Sequence, residues 1–161
     1  MQISMKCSVA VHCLIFMNEA KGKVRVTSNL LAQSTGCNPV VIRNVFRALK
    51  KAGIITVARG TGGAELCKTP SEITLYMIYQ ALEPDGLSSL IGIHHCEERA
   101  CPVARNIHGV LRGPYQKIED AMERTMQEIT LASMLEEFHR RAAAPGAVEN
   151  PAEPTRSFTK I

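Results

Sequence analysis

The sequence predicts a mostly α fold with a small β-hairpin wing: a winged helix-turn-helix followed by a long C-terminal helix. Three observations lead there. Two short helical segments meet at Gly36, and Asn38-Pro39 opens the second. A β-branched run, Ile54-Ile55-Thr56-Val57-Ala58, leads into glycine-rich Arg59-Gly60-Thr61-Gly62-Gly63 and a plausible return strand at Ala64-Glu65-Leu66-Cys67. Beyond Pro114, Ile118, Met122, Thr125, Ile129 and Ala132 alternate steps of four and three, the period of one helix face.

Taken in order, Val9, His12, Cys13, Phe16 and Met17 mark an amphipathic helix from Ser4 to about Glu19, with Gly22 just beyond it. Thr27-Ser28-Asn29 caps a short helix, Leu30 to Ser34, stopped at Gly36. Asn38 is a good N-cap, and Pro39 suits the first helical position, where its missing N–H loses nothing. That helix reaches about Lys51-Ala52 and ends at Gly53, with Val41, Ile42, Val45, Phe46 and Leu49 as its apolar stripe. Arg43, Asn44, Arg47, Lys50 and Lys51 fall largely elsewhere around it. Pro70-Ser71-Glu72-Ile73 opens a further helix through Leu82, and residues 102–109 read as a short one. The resulting organisation is a winged helix-turn-helix domain at 1–83, a sensor or linker segment at 84–114, the long helix at 115–142, and a disordered tail at 143–161 holding Pro145, Gly146, Pro151 and Pro154.

Composition narrows the function. With 161 residues, 45% hydrophobic and 21% charged, the chain is long enough for one domain with a buried core. No apolar run approaches the roughly 18–20 residues of a membrane span, and the N-terminus lacks a secretion-signal pattern, which points to a cytoplasmic protein without a membrane partner. Aromatics are only 4%, with no Trp, so single-strand and RNA binders that rely on stacking lose ground. Charge is placed unevenly: residues 1–69 hold ten Lys/Arg against Glu19 and Glu65, a net +8, while the remainder is net −4. Such a basic half attracts a polyanion in a salt-dependent way.

The combination favours double-stranded DNA. Side chains near the start of a second helix can read base edges in the major groove, which assigns Asn38, Pro39, Val40, Arg43 and Asn44 to that task and Arg47 to guanine or phosphate. Thr27 and Ser28 suit a phosphate at a helix N-terminus. Arg59 at the wing tip, flanked by Gly60 and Thr61, suits the minor groove. A winged helix that contacts only protein is the competing class. An enzyme using Cys101 as nucleophile and His94, His95 or His108 as base lacks an accompanying oxyanion or cofactor motif.

Five blocks then carry a resemblance: Thr27-Ser28-x-x-Leu31-Ala32, Asn38-Pro39-Val40-Val41-Ile42-Arg43, Leu49-Lys50-Lys51-Ala52-Gly53-Ile54-Ile55, Arg59-Gly60-Thr61-Gly62-Gly63-Ala64, and Pro70-x-Glu72-Ile73-Thr74-Leu75 with Ala81-Leu82-Glu83. Together they resemble the Rrf2 family of bacterial winged helix-turn-helix transcription regulators, over about residues 1–140. The resemblance implies a homodimer formed through the long C-terminal helix, a partly palindromic operator, and DNA contacts from Asn38, Pro39, Val40, Arg43 and Arg59. Ala64 departs from the pattern, since many members have an aromatic there.

Of six cysteines, Cys7, Cys13 and Cys67 read as small buried hydrophobes. Cluster-binding relatives place three cysteines between wing and long helix; here only Cys96 and Cys101 stand there. An iron–sulfur cluster or zinc held by Cys96, Cys101, His108 and His94 or His95 is therefore the alternative. The favoured expectation is no cofactor and a thiol switch, because Cys101-Pro102-Val103 resembles a cluster-free branch of the family. Cys101 precedes a helix whose N–H groups favour a thiolate, the form that peroxide attacks. Cys96 or Cys37, the latter in the turn before the second helix and reached from the other subunit, would resolve it.

Overall fold

Met5–Glu19 (α1) forms the centre of the molecule. Cys7, Val9, Ala10, Cys13, Leu14 and Met17 are all buried, while His12 is turned outward. This corrects the packed His12 of the spacing argument: the buried face is rotated toward Ala10 and Leu14. The computed structural model describes residues 5–58, 63–89, 92–95 and 101–144. Arg59, Gly60, Thr61 and Cys96, and the tail from residue 145, lie outside the described residues.

Ser28–Thr35 (α2) and Pro39–Lys51 (α3) are separated by Gly36, whose φ of +69° ends α2 in the left-handed region that glycine adopts without steric cost. Ile55–Val57 (β1) and Ala64–Leu66 (β2) pair antiparallel, with Ile55 opposite Leu66 and Val57 opposite Ala64. Ile54 and Ile55 are buried against the helices, so the hairpin is rooted in the core.

Leu75–Leu82 (α4) starts later than the Pro70 opening suggested. Ile73 and Leu75 direct their backbone groups sideways: Leu75 N–H donates to Ile129 O and Leu131 N–H to Ile73 O, both at 2.8 Å. Those bonds leave Thr74 as the cap, its Oγ1 accepting from Met77 N at 3.2 Å. A 3-10 turn, Leu87–Ser89, follows.

The C-terminal region also departs from the periodicity. Pro102–Glu128 (α5) is one helix through Pro114, and Leu131–Ala143 (α6) is a separate one. Pro114 removes one intrahelical hydrogen bond and crowds the carbonyl of Val110, yet the helix continues through it. The break at Ile129-Thr130 comes from tertiary bonding: the bridge Thr74↔Thr130 fixes this stretch as extended, and Thr130 with Ser133 forms a capping box for α6. No helix among the described residues is long and apolar enough to cross a membrane.

Candidate nucleic-acid interface

Helix α3 divides sharply. Ile42, Val45, Phe46 and Leu49 are buried, whereas Val40, Arg43, Asn44, Arg47, Lys50 and Lys51 are exposed. The burial of one stripe fixes which side chains face solvent, and that outward face is cationic. Asn38 Oδ1 accepts from Val40 N at 2.8 Å, so the cap holds the start of the helix while Asn38 itself remains exposed. Pro39, at the first helical position, is half-buried. Arg47 Nη1 donates to Asn44 Oδ1 at 3.2 Å, pairing two polar groups one turn apart on the same face.

Thr27 and Ser28 lie at the start of α2 and are half-buried. Thr27 Oγ1 accepts from Leu30 N at 3.2 Å, so its hydroxyl serves the helix first, and Ser28 is the first residue of α2. Both residues thus stand at a helix start, and one of the two hydroxyls is engaged in capping.

The wing is joined to this unit by backbone. Ala64 N–H donates to Val26 O at 2.9 Å, and a Cβ on Gly63 would stand 2.9 Å from both Val26 N and Val26 O. Glycine is required at Gly63 by this close approach. The same hypothetical Cβ would stand 3.2 Å from Arg25 Cγ, which puts the stem of Arg25 at the root of the wing. Arg25 was counted in the basic excess but assigned no role; its alternation with Lys21 and Lys23 just before the Thr27 cap was the available signal.

The thiols occupy different settings. Cys101 is the N-cap of α5, exposed, with no side-chain capping bond. Cys37 is half-buried and its Sγ lies 3.8 Å from Thr35 O. Cys7 and Cys13 are buried, and burial pushes both thiols up, Cys13 to about 12. Cys67 corrects the expectation of a buried spacer: it follows β2 and is exposed. His108 stands on α5 seven residues after Cys101, about 10 Å of helix rise, and is exposed. Among the described residues no three His, Cys, Asp or Glu side chains converge as a metal-ligating group.

A family model described as "Rrf2: Iron-dependent Transcriptional regulator" matches residues 3–137. YwnA of Bacillus subtilis (strain 168), named among the HTH-type transcriptional regulators, is 32% identical over 135 residues, spanning 83% of this chain and 96% of that protein. A solved structure of a transcriptional regulator assigned from Lactobacillus plantarum superposes with a TM-score of 0.69 at 26% identity, covering 86% of this chain and 92% of that one. IscR of T. potens shares the fold, with a TM-score of 0.67 at 23% identity over 91% and 94% of the two chains.

Proposed function

The chain belongs to the Rrf2 family of transcriptional regulators, and from that premise we propose that it is a cytoplasmic homodimeric repressor whose grip on a double-stranded operator is set by oxidation of Cys101. The family is one of DNA-binding regulators, not enzymes. One observation carries the operator reading: α3 and its cap expose Asn38, Val40, Arg43, Asn44 and Arg47 while Ile42, Val45, Phe46 and Leu49 are buried. Arg43 and Asn44 would read base edges, and Arg47, Thr27, Ser28 and the wing residues Arg59, Gly60 and Thr61 would hold phosphates or enter the minor groove.

Dimerisation is supported by α5, whose 27 residues include no buried side chain. Val103, Val110 and Ile118 are exposed along it, and Leu75, Tyr79, Leu87, Ile118, Met122 and Met126 line an apolar groove of about 560 Å³ beside it. A second copy of α5 would cover this surface. Two reading heads held by one dimer would then match a partly palindromic site.

In the sensing step, the Cys101 thiol reacts with hydrogen peroxide to give a sulfenic acid and water. The sulfenic acid condenses with a second thiol, Cys96 of the same chain or Cys37 of the partner subunit, releasing a second water. The family description names iron, but the described donors do not form a site for it.

Selection of duplexes from a random pool by the reduced protein tests the reading. Arg43→Ala should lose specific binding by about 1–3 kcal/mol, and Cys101→Ser should bind as the parent does but ignore peroxide. Absence of any preferred duplex would remove the operator reading, and an unchanged peroxide response in Cys101→Ser would remove the switch at that residue. A visible absorbance band with stoichiometric iron after anaerobic purification would replace the thiol by a cluster.

A further inference from the structure

The loop joining α1 to α2 carries three exposed cations, Lys21, Lys23 and Arg25, to which the operator reading gives no role. The loop is held at both ends. Lys23 N–H and Val24 N–H donate to Ala20 O at 2.9 and 3.2 Å, and Val26, which is buried, accepts from Ala64 N–H at 2.9 Å. Thr27 follows in extended backbone, with φ of −115° and ψ of 161°. Neighbouring side chains along an extended stretch face opposite ways. With Val26 turned into the core, Arg25 is therefore turned out on the side of the Thr27 cap. Its Cγ lies 3.2 Å from the place of a Cβ on Gly63, so the stem crosses the root of the wing where glycine leaves room. Glu65 on β2 lines the same cleft as Lys21 and Arg25, which leaves that cleft net positive.

We infer that Arg25 is a phosphate contact: its guanidinium grips the DNA strand that runs between the groove read by α3 and the groove entered by the wing, and it fixes how the head sits without reading sequence. The inference rests on the operator reading above and adds a further point of grip to it. The two grooves of a duplex are separated by one sugar–phosphate strand. A head with α3 in the major groove and its wing in the adjacent minor groove straddles that strand. Arg25 stands at the root of the wing, on the side where α2 begins, and so faces the straddled strand. Arginine fits the task, because its planar fork of donors matches two oxygens of one phosphate. Lys21 and Lys23 add attraction at longer range.

Such a contact has its own signature. Neutralising a phosphate releases counterions, so each contact steepens the fall of log affinity against log salt by about 0.9. A residue that only supports the fold leaves that slope alone. A residue that reads bases changes which duplex is preferred. Arg25 is expected to change the slope and to leave the preference intact.

The test uses the full chain, reduced throughout, and fluorescence anisotropy from about 50 to about 300 mM salt. Two probes of equal length are compared: a duplex that the parent enriches from a random pool and an unselected one. Arg25→Ala should weaken binding to both by about tenfold and make the slope shallower by about 0.9 for each chain bound. The ratio of affinities for the two duplexes should stay within about twofold of the parent's. Arg25→Gln keeps a polar stem over Gly63 and removes only the charge; it should match the alanine variant, and it decides the matter if alanine impairs folding. Arg25→Lys should keep the parent's slope while binding more weakly, since the charge stays and the fork is lost. Arg140→Ala removes an equal charge from α6 and should leave the slope where it was. An unchanged slope in Arg25→Gln overturns the inference, as does an equal change in Arg140→Ala or a lost preference between the duplexes. Should the parent enrich no duplex, the operator reading falls and the slope on the unselected duplex alone decides Arg25.

Discussion

Between α1 and α4 every helix buries part of itself: six side chains in α1, two in the short α2, four in α3 and three in α4. The longest element, α5, buries none of its 27 residues. Both regions carry apolar side chains, so composition does not separate them. What separates them is how completely the rest of this chain covers those side chains. An isolated helix has little stability in water without packing, and α5 rests on the core only through half-buried side chains such as Met122 and Met126, while the reading head encloses its own core.

Substitutions that remove buried carbon should therefore act very unequally. Leu49→Ala, at a site with no exposure, is expected to cost about 2–5 kcal/mol of unfolding free energy. Val103→Ala, where the side chain is 68% exposed in the single chain, should stay within about 0.5 kcal/mol in protein too dilute to pair. Urea unfolding at a fixed protein concentration measures both, and comparable losses would break the contrast. Gly63→Ala sharpens it inside the head: a methyl group 2.9 Å from two backbone atoms of Val26 forces the wing off its root, at about 1–3 kcal/mol. Faster amide exchange at Ala64, the donor to Val26 O, would report the same displacement.

The join between the regions is the extended pair 73–75 with 129–131, followed by the Thr130 cap. Thr130→Ala removes the Oγ1 that accepts from Ser133 N and is expected to cost about 1 kcal/mol, below either core change. Its effect should appear as fraying of the first turn of α6, seen by amide exchange at Ser133, with the α3 amides unaffected. Loss of protection throughout the head would show that the join, rather than the core, holds the molecule together.

How much of this was legible depended on whether the determining contact was local. The α2–turn–α3 unit and its cationic face were readable because Thr27, Gly36, Asn38 and Pro39 act within three or four residues of their own positions. Helix α1 was found but misoriented: Val11, Ile15 and Phe16 on its less buried side are as apolar as Ala10 and Leu14, so spacing alone did not single out the core face. The break at Ile129-Thr130 was hidden because Ile129 and Ala132 continue the apolar period, while the bonds that end α5 come from Ile73 and Leu75, more than fifty residues away. Among the site residues, Asn38, Val40, Arg43, Asn44 and Arg47 share one exposed surface as the helix period required. Arg25 was missed because its place depends on the backbone approach of Gly63 to Val26, a non-local fact.

The smallest expected effect lies at the seam between α1 and the end of α2, where His12 Nε2 and Ser34 Oγ are 2.9 Å apart, and it is read through pH. Burial lowers the His12 pKa below its ordinary value of 6.5 in the folded chain. As pH falls through that value, the unfolded chain takes up the proton before the folded one does, so protonation favours unfolding. Stability is then greatest above 6.5, declines as pH drops toward the lower folded pKa, and levels off beneath it. The imidazole is exposed enough for solvent to screen it, which holds the change well under about 1 kcal/mol. His12→Gln keeps a polar group that can reach Ser34 and removes the titration. The drop in Tm between about pH 8 and about pH 5.5 should therefore be smaller in the variant than in the parent. Glu19, whose pKa is lowered chiefly by its hydrogen bond with His139, contributes a separate loss only at more acidic pH, as its carboxylate protonates. Parallel curves for parent and variant across the upper window would show that the seam is wet, and that His12 is held no differently from the surface of α5.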